Sequence, residues 1–277
     1  MNPEFDKYYS DIWGDRWSAL REALKVHHQV AFRPDLPEQS VQEMAPHQPG
    51  QLPERKSDGL LSEYFMDPAS LLVARALPLD GVEKVLDMCA APGGKSLVLI
   101  SRLPESTEII CNEPSGPRRE SLTKVIQNYV PRDRREKVWV RGQDGAQYGL
   151  KMPAQFDAIL VDAPCSGEAH LLENQKEMQN WSPKRSEGLA IKQYSLLSSA
   201  WSALKPGGAL IYSTCSISPL ENDSVIEKLL KKKKDAIEIL KPELEIEPEW
   251  TRHGFQYFPD QFGFGPLYGA YLRKRAE

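Results

Sequence analysis

Residues 84–96 read KVLDMCAAPGGKS: a short apolar run, two adjacent glycines, then the first residues of an amphipathic pattern. The run from Lys84 to Cys89 has the continuous apolar character of a strand buried on both faces, and 93–103 has helical spacing. Glycine reaches backbone conformations closed to other residues, and a helix that starts just behind it offers unpaired N–H groups. A tight strand-to-helix turn alone needs only one glycine. Two in succession at this place mark a loop to which a ligand's atoms could come close.

Outward from this loop the same alternation repeats. Apolar runs at 108–112 (EIICN), 137–140 (KVWV), 156–162 (FDAILVD) and 209–214 (ALIYST) are separated by helical patterns at 116–129 and 186–204. The last helix closes on Lys205-Pro206-Gly207-Gly208, read as a helix stop and turn. Apolar strands alternating with helices predict an α/β fold, with a mostly parallel sheet covered on both faces. Open sheets of this kind bind ligands beyond the carboxyl ends of their strands, and every polar motif below falls at such an end. Upstream, Asp67-Pro68 reads as an N-cap and a proline at the first helical position, opening a helix through Leu71, Leu72 and Leu77. Residues 1–30 predict one or two short helices whose aromatic stripe (Phe5, Tyr8, Tyr9, Trp13, Trp17) is a packing face. The stretch 33–53, rich in Pro and Gln, reads as a linker or a meandering loop.

With 40% apolar and 27% charged residues among 277, the chain has the balance of an ordinary globular protein with one full core. No apolar run approaches the ~18 residues of a membrane span, so no membrane partner is expected. The opening MNPEFDKYYSDIWGDRW is acidic and aromatic, unlike a secretory signal or a transit peptide. Cysteines 89, 111, 165 and 215 have neither metal-ligand spacing nor a secreted context. The reading is therefore no metal, no disulfide framework and a reducing, cytoplasmic setting. A net charge of −4 speaks against the broad basic face of a nucleic-acid binder. Local clusters at Arg118-Arg119, Arg132 to Lys137, Lys184-Arg185, Lys231 to Lys234 and Arg273 to Arg275 soften that objection, with Lys231 to Lys234 read as a solvated helix end.

The glycine loop fits two nucleotide readings badly. A phosphate-cradling Walker loop needs glycine at position 89, which is Cys, and a dinucleotide fingerprint needs three spaced glycines. A ligand combining a nucleoside with an amino acid and lacking pyrophosphate fits better; S-adenosylmethionine is one. An acid after the second strand is then the expected ribose clamp, and Glu113 stands there, about twenty residues beyond the loop. A solvent-facing strand-end acid is the alternative for Glu113. Asp144-Gly145, just after the third strand, lies on the same rim, where the adenine would be reached.

Two more strand ends carry thiols. The fourth strand ends in Asp162-Ala163-Pro164-Cys165-Ser166-Gly167 and the fifth in Ser213-Thr214-Cys215-Ser216. Cys89 and Cys111 read as small core hydrophobes, whereas Cys165 and Cys215 each sit in a polar turn. Ser218-Pro219-Leu220-Glu221 spells a capping box, and a helix starting there could raise the thiolate fraction of Cys215. One cysteine nucleophile, one acid and one group assisting release are what methylation of cytosine at carbon 5 requires, because adding a thiolate to carbon 6 makes carbon 5 nucleophilic. Cys215, Asp162 and Cys165 supply such a set.

At these residues the chain resembles the Sun (Fmu) family of RNA cytosine-5 methyltransferases. The motifs are YFMDPASLL, VLDMCAAPGGKS, DAPCSG, KPGGALIYSTCS and the terminal FGPLYGAYLRKR, in order over roughly residues 60–277. The resemblance implies a Rossmann-like S-adenosylmethionine-dependent methyltransferase fold with a seven-stranded, mostly parallel sheet. It divides the chain into an N-terminal helical extension and linker (1–59) and a catalytic domain (60–277). It makes Cys215 the nucleophile and Cys165 the residue that assists product release, leaving Asp162 as the acid the chemistry asks for. Its cofactor residues are Cys89, Ala90, Ala91, Pro92, Gly93, Gly94, Lys95, Glu113, Arg118, Asp144, Gly145 and Asp162, with Cys89 bordering the cofactor through its backbone alone. Glu113 stands where the family commonly has Asp, and Met66 where Gln is frequent. The opening and closing motifs look most like a compact branch that includes mitochondrial ribosomal-RNA enzymes. The implied partner is RNA, ribosomal RNA first and tRNA second, with a helper protein or an assembling ribosomal subunit supplying affinity. A ribosome-assembly or RNA-binding factor with little chemistry is the reading from another class.

Overall fold

Asn2 opens the first helix, α1 (Pro3–Trp13), by accepting from the amides of Glu4 and Phe5, with Pro3 at the first helical position. The computed structural model describes residues 2–276. After α1 come α2 (Arg16–Ala23), the short antiparallel pair β1 (Val30–Phe32) and β2 (Tyr64–Met66), and α3 (Pro68–Arg75). Asp67 caps α3 as its sequence predicts, accepting from the Ala69 amide at 2.8 Å. The alternating part follows as β3 (Lys84–Asp87), α4 (Gly94–Arg102), β4 (Glu108–Asn112), α5 (Gly116–Tyr129), β5 (Val138–Arg141), α6 (Tyr148–Lys151) and β6 (Phe156–Asp162). Then come α7 (Glu168–Glu173), α8 (Gln175–Gln179), α9 (Pro183–Ala203), β7 (Leu204–Thr214), α10 (Asp223–Lys233), β8 (Ile237–Leu240), β9 (Glu249–Trp250), β10 (Phe255–Tyr257), α11 (Pro259–Phe262) and β11 (Leu267–Lys274).

Strands run in the order β5-β4-β3-β6-β7-β11, the first five parallel and β11 antiparallel to β7. Where the family likeness implies seven strands, the sheet has nine. β8 and β10 both pair with β11, and β9 adds to β10. Side chains alternate between its faces, as the period of two demands. Val85, Leu160 and Ile211 face α3, α4 and α5, while Leu86, Ile159 and Leu210 face α9 and α10. All six are fully buried, each contributing about 1.5–3 kcal/mol over exposure. The Lys205–Gly208 turn lies inside β7 as a bulge, where the register jumps from Phe156↔Leu204 to Ala158↔Ala209.

The aromatic stripe of α1 and α2 does pack. Phe5, Tyr9 and Trp17 are buried against Trp181, Ile217 and Phe258 of the carboxyl-terminal half of the chain. Arg16 adds ion pairs to Asp260 (2.8 Å) and Glu249 (2.9 Å). The capping box is a correction. Glu221 does not reach back to Ser218; its side chain turns inward and is fully buried, and α10 begins only at Asp223. A buried run of donors beside Ser166 outcompetes the local cap for that carboxylate. Among the described residues no helix is long and apolar enough to cross a membrane.

Candidate active site

Because β3, β4, β6 and β7 are parallel, their carboxyl ends meet on one side of the sheet. A cavity of about 860 Å³ opens there. Its wall includes Cys89, Ala91, Pro92 and Lys95 from the glycine loop and Glu113 and Arg118 from beyond β4. Asp144, Gly145, Asp162, Cys165 and Cys215 complete the set, so thirteen of the fourteen residues singled out from sequence are accounted for by this cavity or an adjoining one. Ala90 and Gly94 line that smaller cavity of about 200 Å³, beside Gln29 and Tyr64.

Gly93 lines neither. It has φ +122 at the start of α4, and a Cβ there would lie 2.9 Å from Val125. Gly94 is held as tightly, with Tyr64 2.8 Å from the place of a Cβ. Both glycines therefore answer to packing by α5 and Tyr64 as well as to any ligand. Beneath the loop, buried Asp87 accepts from Ser96 Oγ at 2.7 Å, and its other oxygen has no partner. Burial pushes the Asp87 carboxyl up to about 7. Lys95 Nζ lies 2.9 Å from Asp162 Oδ2 and 3.2 Å from Ser70 Oγ. Burial works against its charge, but Asp162 outweighs that and holds the ammonium above its ordinary range. Cys89 packs toward α9, and burial pushes its thiol up.

Beyond β4, Glu113 is buried, accepting from the Ser115 amide at 2.9 Å and pairing with Arg118 at 3.2 Å. Arg118 also donates to the Ala91 carbonyl at 2.8 Å, spanning the glycine loop and the acid. Asp144 is exposed and accepts from the Ala146 amide at 3.0 Å. Gly145 is required by close approach: a Cβ would sit 2.6 Å from Leu196 Cδ2.

The two thiols face each other, with Sγ atoms 2.7 Å apart. Cys215 is exposed and Cys165 half-buried, and both are free. The neighbouring Cys215 sulfur, then burial, keep the Cys165 thiol well above its ordinary value.

Over residues 74–273 the sequence matches the family described as 16S rRNA methyltransferase RsmB/F. The chain belongs to that family. It is 30% identical to the mouse protein named tRNA (cytosine(34)-C(5))-methyltransferase, mitochondrial, over 98% of this chain and 89% of the relative. It is 37% identical to 5-cytosine rRNA methyltransferase NSUN4 of Xenopus laevis over 75% of this chain, and spans about half (53%) of that relative's length. A solved NSun6 from Pyrococcus horikoshii with SFG shares the fold, with TM-score 0.77 at 17% identity over 99% of this chain and 98% of that one. Membership of the RsmB/F family classes the chain with the S-adenosylmethionine-dependent RNA cytosine-5 methyltransferases.

Three features of this RsmB/F-family site have no strong sequence signal. His27 and Gln29, from the segment before β1, help to wall the cavities, His27 pairing with Glu173 at 2.8 Å. Glu168 and Glu221 lie fully buried beneath the two cysteine turns. Glu168 accepts from Tyr9 Oη, from Ser216 Oγ at 2.8 Å and from the Ile217 amide at 3.2 Å. Glu221 accepts from the Ser166 amide at 2.9 Å, from the Ser166 hydroxyl and from Gln193 Nε2 at 2.8 Å.

Proposed function

We propose that the protein transfers a methyl group from S-adenosylmethionine to carbon 5 of a cytosine in RNA, through a bond between Cys215 and carbon 6. The observation that carries this reading is the thiol pair, 2.7 Å apart and on one cavity with the Lys95–Asp162 ion pair. The donor set suits the cofactor. The cavity volume falls within the ~300–1,000 Å³ of small-molecule sites. Glu113 would accept from the ribose hydroxyls, Asp144 and Gly145 would flank the adenine, and the 89–95 backbone with Arg118 would hold the rest. When bound, S-adenosylmethionine supplies an electrophilic methyl.

The chain's own residues do the remainder. The exposed Cys215 sulfur adds to carbon 6, sending electron density toward ring nitrogen 3 and the exocyclic amine. Asp162 would meet that edge as the acid, supplying a proton toward ring nitrogen 3, with the Lys95 ammonium beside it to offset the developing charge. After the methyl group is in place, the carbon 5 proton passes to the Cys165 sulfur as the electron pair of that C–H bond expels Cys215. Cys165, kept as a thiol, donates its own proton to the departing sulfur in the same step. Four free thiols suit a reducing, cytoplasmic setting, which is part of this proposal.

Ribosomal RNA is the substrate we favour, supported by the description of the family and the name of the frog relative. Transfer RNA is the second reading, favoured by the mouse relative, whose likeness runs through nearly the whole chain. A helper protein or an assembling ribosomal subunit would supply affinity that the acidic chain lacks. The test uses purified protein, labelled S-adenosylmethionine, and ribosomal and transfer RNA offered separately. Cys215→Ser should abolish transfer, and Cys165→Ser should accumulate a protein–RNA adduct that survives denaturation. Normal methylation by Cys215→Ser would overturn the assignment, and no transfer to any RNA would leave a binding factor in its place.

A further inference from the structure

The two buried glutamates cross over between the cysteine turns. Glu168 leaves the chain three residues after Cys165 and holds Ser216 and Ile217, next to Cys215. Glu221 follows Cys215 by six residues and holds Ser166, next to Cys165. Each carboxylate thus fixes the turn that carries the other sulfur. We propose that Glu168 and Glu221 are positioning residues that hold the Cys165 and Cys215 sulfurs in register, and that Tyr9 of α1 completes the device.

The arrangement is costly for a structural prop. Burying a carboxyl group without a cation is unfavourable unless hydrogen-bond donors satisfy it. Among the described residues no Lys or Arg pairs with either glutamate. Hydroxyl, amide and phenol donors satisfy them instead. Burial, and then the neighbouring Glu221, push the Glu168 carboxyl up to about 7. Neither residue lines the cavity, so neither can touch substrate. What their hydrogen bonds do determine is the path of residues 165–166 and 215–217. Tyr9 reaches this brace from a stack on Trp17 (centroids 5.1 Å apart), so the N-terminal helices act on the thiols through one phenol.

This inference rests on the proposed use of both thiols, and its test separates the two. Glu168→Gln, Glu221→Gln and the milder Tyr9→Phe are compared with the parent protein, each checked for a cooperative melt and for S-adenosylmethionine affinity. Diamide, which takes two hydrogens from a thiol pair and leaves a disulfide, reports how often the sulfurs meet; peptide mapping assigns the bond to Cys165–Cys215. Closure should slow by about tenfold in folded glutamate variants and less in Tyr9→Phe, in line with the steep dependence of reaction on alignment. Methyl transfer should lose kcat by a similar factor, with KM for RNA and cofactor affinity unchanged. Parent-like closure and kcat in folded variants would overturn the brace. If the parent closes its disulfide but methylates no RNA, slower closure in the variants still supports the brace while the functional reading fails.

Discussion

Replacing Lys95 by Met keeps the length of the side chain and removes the cation from Asp162. The two charged groups are 2.9 Å apart, with 13% of the Lys95 side chain and 26% of the Asp162 side chain exposed. Breaking a buried pair on one side costs about 3–5 kcal/mol, because the remaining charge stays where water reaches it poorly. Asp162 borders an open cavity, so the lower end applies, about 3 kcal/mol. At about 2–4 °C per kcal/mol for a chain of this size, the melt should fall by about 6–12 °C. The measurement is a double-mutant cycle by denaturant unfolding without cofactor, using Lys95→Met, Asp162→Asn and the pair. Removing both charges leaves no orphan, so the double variant should be more stable than Lys95→Met by at least about 1.5 kcal/mol. Single effects that add to within about 0.5 kcal/mol would show that the ion pair is not a coupled unit and refute the reasoning.

Two further outcomes follow from the same wall of the site. Asp87→Asn tests the buried carboxyl. Its folded pKa of about 7 lies above its ordinary value of 3.8, so the stability tied to its proton is present at low pH and lost as pH rises through 7. The variant should therefore gain on the parent between about pH 4 and pH 7, by at most about 4 kcal/mol, and a pH-independent difference in melting would reject the assignment. Gly145→Ala places a methyl group 2.6 Å from Leu196 and 3.2 Å from Met88. Overpacking of that kind costs about 1–3 kcal/mol and should also weaken S-adenosylmethionine binding by shifting the Asp144–Gly145 wall. An unchanged melt and affinity would show that α9 yields without strain.

The parallel half of the sheet is legible because β3, β4, β6 and β7 are buried on both faces, which writes an unbroken apolar run into each. The antiparallel half is not. β8 has only four residues, of which Ile237 alone is buried, and β11 is interrupted by Gly269, so neither stands out by pattern. β1 and β2 are separated by more than thirty residues without periodicity, and their pairing depends on tertiary contact. At the site, strand-end position picked out Glu113, Asp162, Cys165 and Cys215. Glu221 was hidden by a better local explanation, since a Ser three residues before a Glu is the spelling of a cap. Glu168 carries no pattern; its role comes from Ser216 and Tyr9, 48 and 159 residues distant in sequence.

β11 comes after every other strand in the chain, yet it sits between β7 on one side and β8 and β10 on the other. A growing chain that has not yet supplied residue 274 holds β7 with one row of backbone donors and acceptors bare. Such an edge invites pairing with another chain. Synthesis therefore passes through a stage in which most of the sheet is made but cannot close. The order of elements makes the interval before β11 is supplied the one in which this fold is most exposed to aggregation, and in which a chaperone would do the most good.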